Sequence, residues 1–408
     1  MRHLYTILLR LALPLILLRL WWRGRREPGY RENVPERFGM YSGEKPAKAL
    51  WVHAVSVGEA RAAAPLVRAL RELLPDHTVV MTCTTAAGRE TLKQVYGDSV
   101  RAAFLPYDYP ESIHGFLHAF RPHFGVLMET ELWPNLLAEC ARRGVPVALA
   151  NARMSEKSAQ GYQRWRAFTG PAIRSLAVAC AQSEDDAARL RALGAPRVVV
   201  TGNLKFDVAL DAAQLAAGQE WKANVGRPVL LLASTRDGEE RVLLDETVKT
   251  DARFLVLVVP RHPQRFDEVA KLADSRRSVA PKPAARDRVH LGDTMGEMAF
   301  YYAACDVAVI GGSFQPLGGQ NLIEALAAGA PVILGPSMYN FAEATRLALA
   351  AGAAIQVEDA RAAIDQALAL LSQPQKRDAM VAAGKKLCEA HRGATRRHIE
   401  VLSALARG

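Results

Sequence analysis

From residue 49 onward the chain alternates short, almost wholly apolar runs with longer stretches in which polar and apolar positions mix at helical spacing. Seven apolar runs come first, at 49–54, 78–82, 102–105, 124–128, 146–150, 176–181 and 197–201. A polar, Ala/Gln-rich break at 206–227 follows, and six more runs lie beyond it, at 228–233, 253–259, 289–291, 306–310, 331–334 and 353–357. A strand with one wet face alternates polar and apolar residues, whereas a continuous apolar run belongs to a strand covered on both faces. Such strands, separated by helices, predict parallel sheets wrapped by helices. Two series around one break predict an α/β protein of two doubly wound, Rossmann-like domains facing a cleft. Ligands of such sheets bind at the carboxyl ends of the strands. The expected division is 27–206 for the first domain, 207–226 for a linker and 227–408 for the second, whose end from Pro374 onward has the pattern of a basic amphipathic helix.

Residues 1–26 follow another pattern. The run 4–22 (LYTILLRLALPLILLRLWW) is nineteen residues long, near the minimum for a spanning helix, and is interrupted by Arg10, Pro14 and Arg19. Its Leu and Ile residues favour insertion by roughly −5.5 kcal/mol in all, while a central Arg10 costs about 3 kcal/mol. Trp21-Trp22 and an arginine cluster (Arg23, Arg25, Arg26) follow in place of a small-residue cleavage site, as an interfacial belt beside a basic anchor does. The expectation is an uncleaved membrane-anchor helix with the body on the cytoplasmic side.

Composition narrows the class. The 408 residues are 50% hydrophobic and 23% charged, a globular balance that excludes disorder, collagen-like repeats and disulfide mini-folds. The net charge of +10 is uneven: residues 1–50 hold ten Lys/Arg against four Asp/Glu. That gradient suits an anionic surface near the N-terminus, lipid or nucleic acid, and the mildly basic remainder speaks against a dedicated nucleic-acid binder; the expected partners are anionic inner-membrane lipids and no nucleic acid. Five scattered cysteines (Cys83, Cys140, Cys180, Cys305, Cys388) form no CxxC and have no histidine at metal spacing, so buried thiols in a reducing compartment are expected and no metal site.

Several strand ends carry candidate chemistry. In Ser56-Val57-Gly58-Glu59, before a helix expected over 59–73, Glu59 sits where a general base could face a cleft. The same spacing is also a capping box with Glu59 at its third helical position. Glu129 and Glu131 follow one buried strand and Lys205 closes another; each has an alternative as an ordinary solvated or helix-terminal charge. In the second half, Pro260-Arg261-His262-Pro263 is stiff, basic and directly past an apolar strand, which suits a phosphate. Gly292–Glu297, Gly311-Gly312-Ser313 and Gly318-Gly319-Gln320-Asn321 are three further loops at strand ends or before a helix, and glycines there let backbone approach a phosphate. Asn321 and Glu324 share one helical face and can reach ribose hydroxyls. GxxxxGK[ST] and GxGxxG are both absent, which argues against P-loop and dinucleotide chemistry.

Taken together, WVHAVSVGEA, PYDYP, METELWPN, NARMS, GNLKFD, ASTRDGEE, VPRHPQRF, GDTMGE, GGS and GPSMYNFAE resemble the family of 3-deoxy-D-manno-octulosonic acid (Kdo) transferases of lipopolysaccharide assembly. The N-terminal LLRLWWRGRR resembles that family's anchor. The resemblance implies a GT-B glycosyltransferase that moves Kdo from CMP-Kdo to a tetra-acylated lipid A precursor, inverting and without a metal or other cofactor. It implies Glu59 as general base and Glu129 and Lys205 as stabilisers of the transition state. It places Pro260, Arg261, Met295, Gly296, Glu297, Asn321, Leu322, Ile323 and Glu324 at the CMP site. The chain departs from the family where Arg236-Asp237 replaces the His-Glu of STHEGE, and where Leu317 and Gln320 replace the Arg and His of RGGHNPLE. Two other readings fit the same bulk features: a GT-B enzyme using a UDP-sugar and a lipid acceptor, and a basic membrane-bound protein that binds without catalysing.

Overall fold

The computed structural model describes residues 1–250 and 254–407, and divides them into two compact units. The first holds residues 1–207 together with 393 onward; the second holds 208–392.

The first unit is built on a seven-stranded parallel sheet: β1 (Ala49–His53), β2 (Thr78–Cys83), β3 (Arg101–Phe104), β4 (Pro122–Met128), β5 (Val147–Ala152), β6 (Val178–Ala181) and β7 (Val198–Val200). Their spatial order is β3-β2-β1-β4-β5-β6-β7, so the winding reverses between β1 and β4. At such a reversal the helices leave on opposite faces and a crevice opens beyond the strand ends. The central strands are buried along their length save for His123 at the start of β4, because helices cover both faces, and this is why they appear as apolar runs. β1 and β4 approach so closely that a Cβ on Gly125 would stand 2.4 Å from the Trp51 ring, and Trp51 Nε1 donates to Thr82 Oγ1 at 2.7 Å.

The second unit repeats the plan with β8 (Val229–Thr235), β9 (Leu255–Pro260), β10 (Ser275–Arg276), β11 (Val289–Leu291), β12 (Val307–Ile310), β13 (Val332–Leu334) and β14 (Ala354–Gln356), ordered β10-β11-β9-β8-β12-β13-β14. Its reversal lies between β8 and β12. Thirteen of the fourteen strands coincide with the expected runs to within a few residues. The exception, β10, is a two-residue edge strand too short and polar to leave a pattern. Residue 253, where the run 253–259 begins, lies outside the described residues.

Three expectations need correction. The helix expected over 59–73 is two helices, Val57–Ala62 and Ala64–Leu73, because Pro65 has no N–H to continue the ladder. The segment expected as a linker carries the helix Ala212–Val225, capped by Asp211 and belonging to the second unit. The second domain does not run to the C-terminus. The helix Pro374–His391 stops at Arg392, Gly393 turns with φ +82°, and the final helix, Ala394–Ala406, joins the first unit. Asp207 draws it there: its carboxylate accepts the N–H groups of Gly393 (2.7 Å) and Thr395 (2.5 Å). Ala394, Val401 and Leu402 complete the apolar core beside β1 and β4.

The N-terminal helix, Arg2–Arg26, also belongs to the first unit. Thr6 meets buried Asn135, and the Leu9 carbonyl accepts the Tyr109 hydroxyl at 2.9 Å. Most of its apolar surface, including Leu8, Leu11, Leu15 and Leu18, is exposed, and its length and mean hydropathy of 1.8 over an 18-residue window are enough to cross a membrane. Arg25 and Arg26 stack over Trp21 and Trp22. All five cysteines are buried thiols.

Because the last helix completes the first core, Leu402→Ala is expected to destabilise that unit by about 2–5 kcal/mol. Amide hydrogen exchange checks this: β1 and β4 should lose protection while β8 and β9 keep theirs. Equal loss in both units, or none, would contradict the assignment.

Candidate active site

In the first unit the candidates gather at the winding reversal. Ser56 caps the helix after β1, and its Oγ accepts the Glu59 N–H at 3.2 Å. Glu59 answers: Oε1 accepts the Ser56 hydroxyl at 3.0 Å and Oε2 accepts the Val55 N–H at 2.8 Å. The capping box therefore exists, shifted by one residue from its usual backbone partner. It does not leave Glu59 an ordinary cap. Burial pushes the carboxyl up to about 7, the charge of Glu129 adds to the rise, and the bonds from Val55 and Ser56 only partly offset it. A carboxyl so tuned exchanges a proton readily near neutrality.

Glu129 stands just past β4 with φ +59°, a left-handed conformation that a glutamate adopts only when its surroundings impose it. Its N–H donates to the Ala150 carbonyl at 2.9 Å. Lys205 Nζ lies 3.3 Å from Glu129 Oε1, with the two side chains 19% and 20% exposed. Lys205 sits in the one-turn helix Leu204–Phe206, whose preceding Asn203 accepts the Lys205 N–H at 3.0 Å. Glu131 is turned aside to accept Trp133 Nε1 at 2.9 Å. Glu129 and Lys205 are thus paired, with Glu59 near enough to feel the charge of Glu129.

In the second unit the reversal is bound by a residue that the sequence did not single out. Glu239, 2% exposed, accepts the N–H groups of Arg236 (2.9 Å), Gly312 (2.6 Å) and Phe314 (3.0 Å), tying the loop after β8 to the loop after β12. Its neighbour Glu240, 1% exposed, accepts from a single nitrogen of Arg265, Nη1, through both carboxylate oxygens at 2.7 and 2.8 Å. Only the two adjacent glutamates of ASTRDGEE signalled this, and nothing local shows that their partners are remote.

Pro260 ends β9, and the Arg261 N–H donates to the Thr235 carbonyl at 3.0 Å. Asn321 caps the helix Leu322–Ala328, accepting the Ile323 N–H at 3.0 Å and donating to Glu324 Oε1 at 2.9 Å. Buried Tyr302 links these groups: its hydroxyl donates to the Asn321 carbonyl at 3.4 Å, and its acidity is set by burial first, then by the charges of Glu324 and, in opposition, Arg261. Leu322 and Ile323 are core residues, so what they can offer a ligand is backbone. Met295 is exposed and Gly296 turns with φ +79°. Burial works against the charge of Glu297, but bonds from Arg277 (3.1 Å) and the Thr294 hydroxyl outweigh it and hold the carboxyl below its usual range. Glu297 thus stands with Arg277. Among the described residues no group of three or more His, Cys, Asp or Glu side chains could hold a metal ion.

Residues 32–208 match the family model of the 3-deoxy-D-manno-octulosonic-acid transferases (kdotransferases), and residues 283–387 match that of the group 1 glycosyl transferases. The 3-deoxy-D-manno-octulosonic acid transferase of Bordetella pertussis is 48% identical over an alignment covering 98% of each chain. The chain belongs to the Kdo transferase family. The Haemophilus influenzae Kdo transferase is 36% identical, again over 98% of each chain. A solved glycosyltransferase structure from Rickettsia africae shares the fold, with a TM-score of 0.57 over 89% of this chain and 100% of that one, at 14% identity. Two doubly wound parallel sheets of the GT-B class are what this Kdo transferase family member and that structure have in common.

The raised Glu59 carboxyl carries a stability signature. A carboxyl whose pKa is about 7 folded and 4.5 unfolded binds a proton on folding, so stability falls as pH rises from about 4.5 to 7 and then levels off. Glu59→Gln keeps an oxygen for the Val55 N–H and cannot ionise. Its melting temperature should therefore gain on the wild type across that window and hold the gain above pH 7. A difference that does not change with pH would show that Glu59 titrates normally.

Proposed function

We propose that this protein transfers Kdo from CMP-Kdo to a tetra-acylated lipid A precursor in lipopolysaccharide synthesis, with inversion at the anomeric carbon and Glu59 as the general base. The observation that carries the reading is the Glu59 carboxyl, at the winding reversal of the first unit, held near 7 beside the Glu129–Lys205 pair. Membership of the family supports the donor sugar and the enzyme class.

The reaction follows from these groups. The ionised Glu59 accepts the proton of the acceptor's primary hydroxyl as that oxygen bonds to the anomeric carbon of Kdo. The bond from that carbon to the phosphate oxygen breaks, and CMP leaves with the electron pair. The Lys205 ammonium, oriented by Glu129, stabilises negative charge developing in the transition state. Arg261, with Asn321 and Glu324 around Tyr302, forms the proposed CMP site: the guanidinium meets the single phosphate, and Asn321 and Glu324 take the ribose. Cations perform the role that a bound metal has in other transferases, so the proposed chemistry needs no metal. The exposed apolar helix Arg2–Arg26 supports anchoring at the cytoplasmic face of the inner membrane, where the lipid acceptor lies and where its arginines meet anionic headgroups.

Detergent-solubilised protein incubated with CMP-Kdo and the tetra-acylated precursor should yield lipid masses stepped by one Kdo unit. The rate should rise with pH through about 7, as the base ionises. Glu59→Gln should lower kcat by at least about a hundredfold while CMP still raises the melting temperature. Protection by UDP instead of CMP, or a Glu59→Gln enzyme of normal rate, would overturn the reading. Arg261→Ala should raise KM for CMP-Kdo about tenfold or more, through loss of a charge-assisted contact. An unchanged KM would remove Arg261 from the donor site.

A further inference from the structure

We infer that His398, on the C-terminal helix, is a positioning residue for the Glu129–Lys205 pair, acting through Asn151. The inference rests on the proposed role of that pair. His398 is fully buried at the end of β5, where its Nε2 accepts the Asn151 N–H at 3.0 Å and lies 3.2 Å from Thr201 Oγ1. Its Nδ1 is 2.8 Å from the Ala394 carbonyl. A carbonyl only accepts and an amide only donates, so the ring is neutral with its proton on Nδ1. Burial keeps it that way, pushing the ring down to about 4.

Asn151 needs this partner because of its own geometry. It has φ +51°, at the point where the pairing of β5 with β6 shifts register. Its N–H is buried, and His398 supplies the acceptor. Without it the amide stays unpaired or the residue leaves its left-handed conformation.

What hangs on Asn151 is the pair itself. Its side-chain Oδ1 accepts the Leu204 N–H at 3.0 Å, and its carbonyl accepts Gln182 Nε2 at 2.9 Å. Gln182 Oε1 in turn accepts Asn203 Nδ2 at 3.0 Å, and Asn203 Oδ1 accepts the Lys205 N–H. The turn bearing Lys205 is therefore suspended from residue 151 by two routes. On the other side, Glu129 donates to the Ala150 carbonyl at 2.9 Å and accepts the Arg153 N–H at 3.4 Å. The bonds that fix Glu129 thus bracket Asn151. Asn151 holds the turn of Lys205 and stands between the two residues that hold Glu129, and the imidazole holds Asn151.

The test compares full-length His398→Ala, His398→Gln and Leu402→Ala with the wild type. Gln carries an acceptor oxygen to about the depth of Nε2. Leu402→Ala loosens the same helix without touching Asn151. Two readouts are taken: kcat and KM for CMP-Kdo, and the rate at which an amine-reactive reagent labels Lys205, read by mass spectrometry without turnover. His398→Ala should lower kcat about ten- to a hundredfold, leave KM for CMP-Kdo unchanged and speed Lys205 labelling several-fold. His398→Gln should restore most of both, and Leu402→Ala should keep both within about twofold. Wild-type labelling in His398→Ala, failure of Gln to rescue, or an equal loss in Leu402→Ala would overturn the inference. Should the wild type not use CMP-Kdo, the proposed function fails, and Lys205 labelling still decides the role of His398.

Discussion

A strand buried on both faces of a parallel sheet has little room for charged side chains along its length, and this constraint organises the whole protein. β1, β4, β8 and β9 carry no Asp, Glu, Lys or Arg, and their backbone hydrogen bonds are used by the ladder. Polar function is displaced to the carboxyl ends, where strands give way to helix N-termini and the ladder runs out of partners. At the two winding reversals these ends are not covered by a crossover helix. Glu59 and Glu129 follow the strands at the reversal of one unit, with Lys205 reaching Glu129 from beyond β7; in the other, Arg261 follows β9 and Asn321 and Glu324 open the helix after β12.

At these ends a single polar side chain often answers both a structural and a chemical need. Glu59 satisfies a backbone N–H before its helix, yet burial and Glu129 keep it protonatable near neutrality. Asn321 caps one helix while donating to Glu324, its neighbour in the proposed donor site. Glu239 shows the purely structural extreme, its charge spread over three backbone donors that shape the loops after β8 and β12. Glu239 satisfies three amides, whereas Glu59 serves one amide and one hydroxyl.

The strand framework was legible in the amino-acid sequence because two-sided burial removes polar residues from a run, and that pattern is local. Glu59 and its capping box were legible for the same reason, since donor and acceptor lie within four residues. Glu239 and His398 were not, because their partners are backbone amides from far along the chain: 73 residues for Glu239 with Gly312, and 247 for His398 with Asn151. The domain boundary failed on the same ground. Asp207 lies 186 residues from Gly393, and nothing near either marks the pair. The edge strand β10 failed for a different reason, being too short for any period to show.

The return of the last helix to the first unit bears on how the chain is made. The ribosome delivers the N-terminal helix and all seven strands of the first sheet before any residue of the second unit. The first core nevertheless lacks Ala394, Val401 and Leu402 until the whole second unit has been synthesised. Through most of synthesis the nascent first unit therefore exposes an apolar groove along its sheet, while its leading helix is already free to meet a membrane. Folding of this unit is closed only after the second unit has been made, so a chain cut off at Arg392 lacks part of its earliest-built half.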